Sequence, residues 1–211
     1  GICEGIFWNG GQNCSANSRL IVQRSIEDDL LERITERSRD WVVGDPLVAE
    51  TTMGAMIEEA HLEKVLGHIT DAHEAGSTCA VGGNRVREES GGWFVEPTVF
   101  TGVDPDSRLA REEVFGPVLA VTTFDTPEEA IRLANDTDYG LAATIHTTDL
   151  RTAHLATRAM RAGTVAVNCY GEGDITTPFG GFKQSGFGGR DKSIAAHEQY
   201  TELKTIWMDL S

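Results

Sequence analysis

Leu119-Ala120-Val121-Thr122-Thr123-Phe124, followed at once by Thr126-Pro127-Glu128-Glu129, decides the fold class. The first run is apolar and β-branched without strict alternation, as a strand covered on both faces requires. The second is a helix start: Thr126 caps, Pro127 takes the first position and Glu129 the third, and Ala130, Ile131 and Ala134 carry the helix inward. Downstream the alternation repeats. Gly140 to Thr147 reads as a strand, Asp149 caps a helix through Leu150, Ala153, Leu155, Ala156 and Met160, and Gly163 to Cys169 is a last core strand.

Upstream the same pattern holds. Arg19 to Gln23 reads as a strand, and Ser25 is expected to cap the helix after it, with Asp28 as its capping-box acid and Ile26, Leu30, Leu31 and Ile34 on one side. Asp45-Pro46 makes a turn. Glu58 to Ala75 is the clearest helix, striped by Leu62, Val65, Leu66, Ile69 and Ala72, with Gly76 suited to its C-cap. Thr78 to Val81 is a strand and Gly82-Gly83 a turn. Phe94 to Phe100 is extended, with Pro97 at an edge or bend, and Asp104 to Arg111 holds a helical turn. The expected fold is therefore α/β, a mainly parallel helix-covered sheet over residues 19–169. Glu202 to Leu210 stands apart as an alternating terminal strand that suits addition to a partner's sheet.

The chain has 211 residues with 18 Lys and Arg against 33 Asp and Glu, a net charge of −15. That field disfavours nucleic acid and anionic membrane surfaces. An anionic cofactor stays possible, because local backbone amides act against the global field. Cys3, Cys14, Cys79 and Cys169 form no Cys-x-x-Cys pair, and the six histidines show no metal-ligand spacing. With no secretory signature, the reading is cytoplasmic with free thiols and no metal.

Three segments carry chemistry. Asn9-Gly10-Gly11-Gln12-Asn13 brings flexible backbone up to Cys14, a candidate nucleophile expected near a helix N-terminus. No histidine lies nearby in sequence, so a cysteine acyl hydrolase would need one delivered by the fold. Glu112-Glu113-Val114-Phe115-Gly116-Pro117 places acids on the approach to the central strand. Pro178-Phe179-Gly180-Gly181-Phe182-Lys183, with Ser185-Gly186-Phe187-Gly188-Gly189-Arg190, implies tight turns and close backbone packing but matches no dinucleotide or Walker fingerprint.

Gly11-Gln12-Asn13-Cys14, Glu112 to Val118, Gly163 to Asn168 and Pro178 to Gly186 lie in the order and spacing that resemble the catalytic half of the NAD(P)-dependent aldehyde dehydrogenase superfamily. Within it, Ala49 to Gly54, Gly173 to Pro178, Arg190 to Ser193 and Thr201 to Trp207 resemble the gamma-glutamyl-gamma-aminobutyraldehyde dehydrogenase type of polyamine catabolism. The resemblance implies a catalytic domain over residues 1–200 and an oligomerisation tail over 201–211. It places the dinucleotide-binding domain, the general-base glutamate and the oxyanion-hole asparagine before this segment, so the chain reads as a fragment. One glycine in Gly186-Phe187-Gly188-Gly189-Arg190 is extra to the usual pattern.

Residue by residue, the resemblance makes Cys14 the nucleophile that forms a thiohemiacetal and then a thioester. Asn168 becomes a polar residue behind the active site. Glu113 would contact the nicotinamide ribose of NAD or NADP, and Phe115 would pack beside the nicotinamide. Trp8 and Phe179 would line the aldehyde tunnel. Glu172 and Asp174, on glycine-rich backbone with Gly173 where relatives often carry a bulky aromatic, would favour an aminoaldehyde at the tunnel mouth. The implied partners are a small aldehyde and further copies of the chain. A noncatalytic assembly domain is the contrasting reading, told apart by adding NAD, aldehyde and the missing segment separately.

Overall fold

The computed structural model describes residues 1–171 and 173–211. Helix α1 (Ile2–Phe7) leads through a tight turn to strand β1 (Arg19–Gln23), followed by α2 (Glu27–Ser38) and α3 (Glu59–Glu74). Next come β2 (Thr78–Val81), β3 (Arg85–Val86), β4 (Phe94–Val95) and β5 (Thr98–Thr101). Then follow α4 (Arg108–Arg111), β6 (Val118–Phe124), α5 (Pro127–Asn135), β7 (Ala142–Ile145), α6 (Leu150–Ala159) and β8 (Thr164–Val167). No helix among the described residues is long and apolar enough to cross a membrane.

The main sheet has four strands in the order β1-β6-β5-β2. β6 is parallel to both neighbours, with Arg19 opposite Ala120 and Thr98 opposite Val118. Its side chains alternate between two cores. Val118 and Ala120 join Phe100, Leu62, Val65 and Ile69 on the face covered by α3 and α4. Leu119 and Val121 join Val99, Ile6, Phe7 and Ile34 on the face covered by α1 and α2. Period-two alternation between two apolar layers explains why the run reads as continuously hydrophobic.

The helix starts after β6 and β7 form as expected. Thr126 accepts from the Glu129 amide, and Glu129 returns to the Asp125 amide at 2.9 Å. Asp149 accepts from the Thr152 amide at 2.7 Å. At the other end of α5, Arg19 donates to the Leu133 and Ala134 carbonyls, Arg111 to that of Asp136, and Lys183 to that of Asn135. Cations at a helix C-terminus meet both its orphan carbonyls and its dipole. Lys183 thereby pins the glycine-rich segment to the body of the fold.

Several expectations are corrected. Ser25 caps nothing: it falls inside a 3-10 turn over Arg24–Ile26, and α2 starts from Ile26 without a side-chain cap. β2 runs antiparallel to β5, because the connection through left-handed Gly82 and Gly83 and the β3–β4 hairpin holds no crossover helix. β7 and β8 are parallel but pair with each other and not with the main sheet. Side chains bridge that gap, with Asn17 Nδ2 donating to Thr144 Oγ1 at 2.9 Å. Among the described residues, 201–211 join no ladder within the chain.

Candidate active site

Cys14 lies on a turn leading into β1, not at a helix N-terminus. α1 is anchored by buried Ile6 and Phe7, and its end passes into three successive left-handed residues, Asn9, Gly10 and Gly11, with φ of 53°, 63° and 70°. The Gln12 amide donates back to Asn9 O, and the Asn9 side chain donates to Gln12 O. The Ala16 amide then donates to Asn13 O at 3.0 Å, which closes a β-turn with Cys14 and Ser15 at its centre. Ser15 faces inward and the Cys14 side chain is exposed, with Sγ 4.0 Å from Asn13 Oδ1.

The Glu112–Pro117 loop meets this turn at the backbone. A Cβ placed on Gly11 would stand 2.2 Å from Gly116 O, so only glycine lets the two loops touch. These loops enter the N-terminal ends of β1 and β6, adjacent parallel strands, which puts both motifs at one edge of the sheet. General experience with open parallel sheets points to the opposite edge. Here the C-terminal ends of β7 and β8 complete the constellation, since Tyr170, just past β8, reaches Asn13 at 2.9 Å.

Helix α3 holds the acidic loop from below. His61 Nε2 donates to Phe115 O at 2.7 Å, and Lys64 Nζ to Glu113 O at 2.8 Å. Phe115 takes φ of 60°, a strained setting for a non-glycine residue that such anchoring maintains. With its carbonyl bound, Glu113 leaves an exposed carboxylate, and Glu112 pairs with Arg108 at 2.9 Å. Under the loop His68 is fully buried, 3.9 Å from Glu112. Burial, and after it the Arg108 guanidinium, push its imidazole below the ordinary value.

The remaining expected residues sit as follows. Trp8 is about half exposed, beside the left-handed turn. Asn168 is left-handed at φ of 57° and spends its amide on Thr147, accepting from the backbone nitrogen at 2.9 Å and donating to the carbonyl at 2.8 Å. It fixes the β7–β8 ends rather than reaching the thiol. Phe179 is bridged to Asp191 by backbone bonds, with Lys192 Nζ 5.1 Å from its ring. Asp174 accepts from the Thr176 amide and hydroxyl, which hold its carboxyl below the usual range. Gly173 is left-handed, and a Cβ there would meet Thr177 at 2.7 Å. Glu172 lies outside the described residues. The structure thus joins the Cys14 turn to the loop of Glu113 and Phe115 through Gly11 and Gly116, with Tyr170 bonded to Asn13 on the one side and His61 and Lys64 holding the loop on the other.

The model of the aldehyde dehydrogenase family matches residues 1–206. An aminoacetaldehyde dehydrogenase of Pseudomonas aeruginosa is 55% identical over the whole chain, which spans 42% of that protein. An indole-3-acetaldehyde dehydrogenase solved with NAD+ superposes with a TM-score of 0.95 at 50% identity over 99% of this chain and 42% of its own. A gamma-glutamyl-gamma-aminobutyraldehyde dehydrogenase of Burkholderia cenocepacia gives 0.92 at 52% identity over 96% of this chain and 41% of its own. The chain therefore spans about two fifths of the length of the relatives it matches. On motif order, fold and match together, it belongs to the aldehyde dehydrogenase family.

Proposed function

We propose that the chain supplies the nucleophile and the nicotinamide-facing loop for NAD(P)-dependent oxidation of an aldehyde to a carboxylate, within a longer enzyme. The observation that carries this reading is the contact of Gly11 with Gly116, which seats an exposed cysteine turn against the loop of Glu113 and Phe115. Cys14 Sγ adds to the aldehyde carbon to give a thiohemiacetal. The Cys14 backbone amide contributes a hydrogen bond to the developing oxyanion. Loss of hydride leaves a thioester on Cys14, and water releases the carboxylate and restores the thiol.

The acidic loop suits the nicotinamide end of the cofactor. The Glu113 carboxylate is an acceptor for ribose hydroxyls, and Phe115 offers a half-buried aromatic ring on backbone that His61 holds in place. NAD or NADP bound there supplies the hydride acceptor. The four cysteines are free, which suits a thiol nucleophile working in the cytoplasm.

The same proposal extends to substrate and assembly. Trp8 and Phe179 line the approach, and Asp174, with Glu172, leaves negative charge that favours an elongated aldehyde with an amine or amide tail. The aminoacetaldehyde and gamma-glutamyl-gamma-aminobutyraldehyde relatives support that choice. Asn168 supports the site from behind, and residues 201–211 join an interface sheet between copies.

The test is made in the longer enzyme that carries this chain. Cys14→Ala is expected to abolish NAD(P)-dependent aldehyde oxidation, and full turnover by that variant rejects the reading. For substrate class, kcat/KM is compared for an aminoaldehyde and a neutral aldehyde of equal length. Glu172→Gln with Asp174→Asn is expected to narrow the preference, and the narrowing to shrink as salt rises. Equal rates on both substrates in the unsubstituted enzyme leave an aldehyde dehydrogenase without the aminoaldehyde preference.

A further inference from the structure

Two hydrogen bonds tie the segment around Cys14 to the β7–β8 unit, and the mechanism above uses neither. Asn13 Nδ2 donates to the Tyr170 hydroxyl at 2.9 Å and to Ser15 Oγ at 2.8 Å. Asn17 Nδ2 donates to Thr144 Oγ1 at 2.9 Å. The Tyr170 ring lies against Gly5, where an added Cβ would come within 3.3 Å of Tyr170 Cδ2. Helix α1 thus leaves a gap at Gly5 that the tyrosine fills on its way to Asn13.

An asparagine amide has two donor hydrogens, and here both are engaged by hydroxyl oxygens. The amide plane is fixed as a result. Its oxygen end faces Cys14, with Oδ1 4.0 Å from Sγ. A carbonyl oxygen so placed accepts the thiol S–H and sets the direction of the sulfur. We infer that Tyr170 is a positioning residue for the Cys14 thiol, acting through the Asn13 carboxamide. Its consequence is that the residue just past β8 and the nucleophile's turn are coupled through one side chain. Loss of the Tyr170 hydroxyl frees the amide to turn, so the sulfur loses its fixed acceptor and meets an incoming electrophile more readily.

The inference rests on Cys14 as the nucleophile, but its test uses neither aldehyde nor NAD. The rate of Cys14 alkylation by iodoacetamide is followed in this chain by mass spectrometry of the Cys14 peptide, with part-buried Cys3 and Cys79 as controls for intact fold. Tyr170→Phe keeps the ring on Gly5 and removes only the hydroxyl. Its expected effect is acceleration by about fivefold, the scale of one neutral hydrogen bond. Asn13→Ala is expected to accelerate similarly, and the double variant no further than Asn13→Ala alone. Thr144→Val, which cuts the parallel link to Asn17, is expected to leave the rate unchanged.

An unchanged or slower rate in Tyr170→Phe overturns the inference. So does an equal factor for Tyr170→Phe with and without Asn13, or the same acceleration from Thr144→Val, because each means general loosening. If Tyr170→Phe does not fold, Asn13→Ala against Thr144→Val decides by the same criteria. None of these outcomes bears on whether Cys14→Ala abolishes turnover, so the inference and the proposed function fail separately.

Discussion

Gly11 and Gly116 meet with no room for a side chain between them: a Cβ on Gly11 would lie 2.2 Å from the Gly116 oxygen and 2.8 Å from the Pro117 nitrogen. Both neighbours are backbone, and Gly11 is also left-handed at φ of 70°. Gly11→Ala combines steric overlap with a disfavoured dihedral, and neither can relax by a rotamer change. The expected cost is about 2–4 kcal/mol of stability, read from urea unfolding. Because the contact joins the two motif loops, the longer enzyme carrying this variant should also lose activity beyond what its folded fraction explains. A variant as stable as the unsubstituted chain would mean that the loops are not locked together here.

His68 gives a pH dependence of known sign. It is fully buried on α3, with Lys64 and Asp71 on its own helix and Arg108 and Glu112 facing it from α4 and the acidic loop. Burial dominates and lowers its folded value below the ordinary 6.5. The unfolded chain therefore binds the proton more readily than the folded one. The stability contributed by neutral His68 is complete above about pH 6.5 and is lost as pH falls from there through the lowered folded value, at no more than about 1.4 kcal/mol per pH unit. His68→Leu should flatten the urea midpoint over that range. A slope that persists unchanged in the variant assigns the effect to other groups.

Local chemistry explains why parts of this fold are legible in the sequence. Thr126-Pro127-Glu128-Glu129 and Asp149 with Thr152 are short-range devices whose partners lie within one helical turn, and both form as read. Leu62, Val65, Ile69 and Ala72 announce a core face by spacing alone. Ser25 is not the cap because it falls inside a 3-10 turn that precedes α2, which starts only after Ile26. Strand direction at β2 and the separation of β7 and β8 depend on connections and side-chain bridges between distant segments, which periodicity does not encode. At the site, Cys14, Glu113 and Phe115 stood out through glycine-rich surroundings and a shared motif order. Tyr170 and Lys64 carried no such signal, since a tyrosine after a strand and a lysine on a helix are ordinary. His61 and Lys64, three residues apart at the start of α3, share a helix flank, the one pattern that could have drawn attention to them.

Residues 201–211 offer the remaining test, of assembly. Leu203, Ile206, Trp207, Met208 and Leu210 are all exposed, Trp207 to 91%, and the segment pairs with no strand of its own chain among the described residues. Isolated exposed apolar side chains are common, but a run of five on one unpaired segment is a surface that water leaves unsatisfied. Without a ladder partner among the described residues, the segment has backbone groups that strand addition to a second copy would pair while covering those side chains. Lys204 and Asp209 interrupt the apolar positions with charges of opposite sign. In sedimentation velocity over a concentration series, the intact chain is expected to associate, and deletion of 201–211 to shift the population to monomer while the circular dichroism of the core is retained. Trp207→Ser should weaken association without abolishing it, because backbone pairing survives the loss of one side chain. An association curve identical with and without the segment, in a chain whose core is folded, would remove the tail from the interface and leave its apolar residues to a surface of the longer enzyme.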